Sequence, residues 1–186
     1  MDKKNKAQIS RGECFPEEHK NIPDKFEMIV VTNYIPVDVL RKSHSIYESK
    51  LKRKATREEE DARIAEITGA YQGNLRHPHI TALYILVEHY ESLIFLNSLN
   101  FTNSEKLVIV WVGQFITMKD SLLYISKCFK GRFAALIGQD IRIGKGFEKI
   151  RQKESKVLRE KKILYAVTRH GPYRQLCYRY NCGLCV

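Results

Sequence analysis

Short runs of almost uninterrupted apolar residues, separated by stretches with helical spacing, constrain this chain more than any other feature. The runs are Phe26-Glu27-Met28-Ile29-Val30-Val31-Thr32, Ala82 to Glu88, Lys106 to Val112, Phe133 to Ile137 and Ile163 to Thr168. Each is strand-length and rich in β-branched or aromatic residues. A strand with one face in water would alternate apolar and polar residues, and these do not. They therefore predict buried strands of a parallel sheet with helices on both faces.

The segments between the runs supply those helices. Thr56-Arg57-Glu58-Glu59 has capping-box spacing, so a helix should begin there and present Ile64, Ile67 or Thr68, Tyr71 and Leu75 on one side until Pro78. Leu93, Leu96 and Leu99 suggest a short helix before the turn at Asn100 to Ser104. Thr117 and Asp120 form a second capping box, followed by Met118, Leu122, Ile125 and Phe129 as the expected inward stripe and Gly131 as the stop. The expected architecture is an α/β domain over residues 26–170 with about five strands. A polar arm or loop (1–25) would precede it, and a Cys-rich tail (171–186) would follow.

With 186 residues the chain can bury one core. No apolar stretch is long enough to span a bilayer, and the polar start lacks a leader pattern, so the cytoplasm is the default location. The formal charge of +11 includes a cluster at Lys50, Lys52, Arg53, Lys54 and Arg57 and another from Lys145 to Lys162. Such a field draws anions, whether nucleic acid, lipid headgroups or a phosphorylated ligand. Cys177, Cys182 and Cys185, with His170, have a spacing that could hold zinc or leave free or paired thiols, while Cys14 and Cys128 stand alone.

Ligands of open α/β sheets sit beyond the carboxyl ends of strands. That rule selects Thr32, Asn33 and Tyr34, then Glu88 and His89, Gly113, Asp140, and finally Arg169 and His170. Asp140 could hold a cation against a diphosphate, or cap a turn and pair with Arg142. Gly144-Lys145-Gly146 reads as a plain turn, because Lys149 stands where a dinucleotide fingerprint needs its third glycine. His77-Pro78-His79 reads as a loop.

Several segments taken in order resemble glycosyltransferases of the nucleotide-diphosphosugar (GT-A type) fold. They are Arg63-x-x-Glu66 with Asn74, Ala82 to Glu88, Lys106 to Gly113 with Thr117 to Asp120, Gly138-Gln139-Asp140-Ile141 with Gly146-Phe147, and Tyr165 to His170. The resemblance implies a nucleotide sugar as ligand, a divalent cation (Mn or Mg) on Asp140, and transfer to an acceptor where the chain is complete. It also implies that Thr32, Asn33 and Tyr34 face the base, that Arg63, Glu66 and Asn74 hold the first helix on the nucleotide side, and that Arg169 meets phosphate. Gly138 stands where that group usually carries asparagine, leaving Asp140 as the one carboxylate of the element. The alternative expectation is a non-enzymatic basic domain for nucleic acid or another polyanion.

Overall fold

The computed structural model describes residues 8–12, 14, 28–36, 56–130 and 132–144. The chain divides into two units, 1–143 and 144–186, and the sheet with its helices belongs to the first. The expected strand at Ile163–Thr168, the stop at Gly131, the basic clusters at 50–54 and 145–162, Arg169, His170 and the terminal cysteines lie outside the described residues.

Five parallel strands form one sheet: β1 (Gln8–Ser10), β2 (Met28–Tyr34), β3 (Ile80–Val87), β4 (Leu107–Trp111) and β5 (Phe133–Ile137). Their spatial order is β1-β4-β3-β2-β5. Helices α1 (Arg57–Leu75), α2 (Tyr90–Ser98) and α3 (Met118–Cys128) make the crossovers. The α/β class expected from the apolar runs is thus observed, with four of the runs forming β2 to β5.

Both capping boxes form. Thr56 accepts from the Glu59 amide and the Glu59 carboxylate accepts from the Thr56 amide, and Thr117 and Asp120 repeat the arrangement. These reciprocal bonds satisfy donors that a helix start leaves free, which is why each helix begins at its threonine.

Side chains alternate across the sheet, so odd and even positions of a strand serve different layers. Ile29, Val31, Tyr84, Leu86, Val108 and Val110 pack with Ile116, Phe129 and the inner side of α3. Helices α1 and α2 pack on the other face, where Ile67, Tyr71, Leu75, Leu93 and Leu96 are buried.

Two findings differ from the expectations raised by the sequence. The arm contributes an edge strand, since Gln8, Ile9 and Ser10 pair with Val108, Ile109 and Val110. Just beyond it Cys14 is bonded to Cys128 at the end of α3, with Cα atoms 5.2 Å apart. Such a cross-link belongs mainly to oxidising compartments, so it lends no support to the cytoplasmic default.

The second difference is the rotation of α3. Met118 and Leu122 are 72% and 41% exposed, whereas Ser121 is fully buried. Ser121 turns inward because its hydroxyl donates to Asn33 Oδ1 at 2.9 Å and can also reach the Thr117 carbonyl at 3.1 Å. Ile125 and Phe129 face the sheet as expected, and Tyr124 and Cys128 complete the inner side.

Candidate functional site

From β2 the chain steps outward through β3 to β4, then returns across the sheet to lay β5 on the opposite side of β2. The direction of winding reverses between β2 and β5, and loops leaving their carboxyl ends diverge there. This is the place where an open α/β sheet offers a crevice.

The segment after β5 is fastened to that edge at several points. Ile141 donates its amide to the Gly138 carbonyl, closing a turn at 3.1 Å. Gln139 Oε1 accepts from the Ile35 amide at 2.9 Å, lacing the end of β5 to the end of β2. From α1, Asn74 donates Nδ2 to the Ile141 carbonyl at 3.0 Å and accepts the Ile143 amide at 2.8 Å. Gly73 lets the Arg142 side chain lie against the helix, because a Cβ there would stand 2.5 Å from Arg142 Nε.

Arg63 completes the fastening, donating from Nη2 to Asp140 Oδ2 at 2.8 Å and pairing also with Glu66. Asn74 lies eleven residues beyond Arg63, which is three helical turns, so one side of α1 carries both. Burial works against the Arg63 charge, but the hydrogen bonds to Glu66 and Asp140 outweigh it and raise the pKa above its ordinary value. The guanidinium stays charged, with both carboxylates as its partners.

The residues expected at the end of β2 take different places. Thr32 is fully buried, and Tyr34 is buried with its ring stacked on Phe95 at 6.0 Å. Asn33 is partly exposed and holds Ser121. Tyr71 lies beneath, its hydroxyl buried without a hydrogen bond of good geometry although Thr32 is within its influence. Burial pushes the phenol well above its usual pKa, and the negative charges of Tyr34, when ionised, and Asp140 act in the same direction.

Other strand-end residues have structural tasks. Glu88 accepts the Ile116 amide at 2.9 Å, tying down the loop before α3, and approaches His89 only at 3.9 Å. Gly113 turns that loop with φ of +74°, a conformation glycine adopts without strain. His77 is buried, and its Nδ1 accepts from the His79 amide at 3.3 Å.

Arg63 and Asp140, separated by 77 positions, are thus brought together. Local spacing gives no sign of the tasks of Gln139 and Ser121, because their partners are distant in the chain. Asp140, the expected cation ligand, is engaged by a protein group in this setting. One of its oxygens is taken by the guanidinium, and among the described residues no three His, Cys, Asp or Glu side chains gather as metal ligands. Among those residues, too, no helix is long and apolar enough to cross a membrane.

Compared with family models, with curated proteins and with solved structures, the chain matches none.

Proposed function

We propose that the domain binds a nucleotide diphosphosugar in the crevice between the carboxyl ends of β2 and β5, with sugar transfer to an acceptor as the reaction class. The observation carrying this reading is the Arg63–Asp140 pair, set at the point where the sheet's winding reverses. In such a site a diphosphate needs positive charge and fixed donors, and Arg63 keeps N–H donors beyond the two that meet Glu66 and Asp140. Asp140 and Glu66 orient the guanidinium, while Asn74 and Gln139 hold the turn that carries Asp140. The ligand charge is met by Arg63 in this reading, not by a cation on Asp140.

The test is calorimetric titration of uridine and guanosine diphosphosugars, with and without manganese, into wild-type, Arg63→Ala and Asp140→Ala proteins. Saturable binding without manganese, weakened at least about tenfold in Arg63→Ala, is expected for loss of a charge-assisted pair. Binding that needs manganese and is lost only in Asp140→Ala would replace the arginine by a metal bridge. No binding of any sugar nucleotide would refute the reading.

The net charge of +11 favours a second reading, binding of nucleic acid or another polyanion. Its signature is an affinity that falls steeply and linearly with the logarithm of salt concentration.

A further inference from the structure

Helix α3 exposes on its outer side the kind of residue that its inner side buries. Phe115, in the loop before it, is 76% exposed, and Met118, Leu122 and Leu123 are 72%, 41% and 56% exposed. Lys119, Lys127 and Lys130, also exposed, are interleaved with or follow them. The inner side is filled by Ser121, Tyr124, Ile125 and Cys128, so these outer residues are not left over from an incomplete core. Neighbouring apolar side chains projecting into water mark a surface that meets something else.

We infer that this loop and helix dock the protein on a bilayer surface rich in anionic headgroups. Charge complementarity selects that occupant: the patch carries lysines, and the chain has a net charge of +11. A second copy of the same face would set lysines against lysines. A polyanionic nucleic acid would use the lysines but leave Phe115, Met118, Leu122 and Leu123 without apolar company. Phe115 and Met118 are the most exposed of the four and lie outside the cleft that Leu123 and Lys127 border, so they are free to enter the boundary between headgroups and acyl chains. Lysines around such a wedge meet the headgroup charge. The loop leaves the carboxyl end of β4, the same sheet edge as the β2–β5 crevice, so docking would hold that crevice near the lipid–water boundary.

The test is co-sedimentation of the full chain with phosphatidylcholine vesicles that contain or lack phosphatidylserine. Wild-type protein should sediment with the phosphatidylserine vesicles. The double variant Phe115→Ser/Leu123→Ser should bind roughly tenfold or more weakly. Lys119→Gln/Lys127→Gln should lose roughly fivefold per lysine, and more of the wild-type binding should disappear as salt rises. All changed side chains are exposed, and matching thermal melts check that each variant is folded. The inference is overturned if phosphatidylserine vesicles bind nothing. It is overturned equally if Phe115→Ser/Leu123→Ser binds them like wild type, or if the wild type is a dimer in solution that this variant splits. Sugar-nucleotide titration of the same variants separates this result from the crevice reading, since the four positions belong to α3 and the loop before it, whereas Arg63 belongs to α1.

Discussion

Replacing Cys14 and Cys128 together with serine should destabilise the domain far more than the loss of two small side chains suggests. The bond closes a loop with a sequence separation of 114, leaving the unfolded chain far fewer conformations. In the chain-entropy account the cost of closing such a loop, which the bond removes from folding, is about 5 kcal/mol at room temperature. Measured losses for native disulfides run from about 2 to 5 kcal/mol, so the calculated value is an upper bound. For a chain of this length each kilocalorie lowers Tm by about 2 to 4 °C, giving an expected drop of about 5 to 20 °C.

The loss should be felt first at β1. That strand has three residues, pairs with β4 alone and buries only Ser10, so packing does little to retain it. Urea unfolding of the double variant against wild type gives the global figure, and hydrogen exchange at residues 8–10 and 108–110 gives the local one. Substitution is preferable to bulk reduction because it leaves every other cysteine untouched. Equal stability of the two proteins within about 1 kcal/mol would refute the reasoning. So would a non-reducing peptide map in which Cys14 is not joined to Cys128.

Two glycines of α1 should respond differently to alanine. Gly69 has open space around its Cβ position, so Gly69→Ala should stabilise by about 0.5 to 1 kcal/mol in urea melts; at Gly73 the new methyl would collide with Arg142 and remove that gain. Asn74→Ala should cost about 2 kcal/mol or more, because it strips partners from the Ile141 carbonyl and the Ile143 amide, and it should also weaken any sugar-nucleotide binding seen by calorimetry. Tyr71→Phe should be neutral or slightly stabilising in the same melts, since the hydroxyl removed is buried without a good partner. The Tyr71 phenol is held above the ordinary 10.0, so the unfolded chain ionises first. Wild-type stability should therefore begin to fall as pH rises past that value, and Tyr71→Phe should lose less of it.

Local chemistry explains how much of this architecture could be read from one strand of letters. The capping boxes at Thr56 and Thr117 form because donor and acceptor are three residues apart, whatever surrounds them. The apolar runs became β2 to β5 because a segment with no polar face must be covered on both sides, and helical crossovers supply the cover. The three-turn spacing of Arg63 and Asn74 likewise puts both on one side of α1.

What the letters left open depended on distant partners. Gln8-Ile9-Ser10 has no strand signature of its own and is extended because the edge of β4 offers it hydrogen bonds. The outward turn of Met118 and Leu122 follows from Asn33 drawing Ser121 inward, an interaction across 88 positions that helical periodicity cannot contain. Cys14 with Cys128, and Arg63 with Asp140, are pairs that only the folded sheet brings together. Sequence alone determined the elements because their causes lie within one turn or one strand. Tertiary structure decided the edge strand, the rotation of α3 and the crevice, because each is settled by which segments meet.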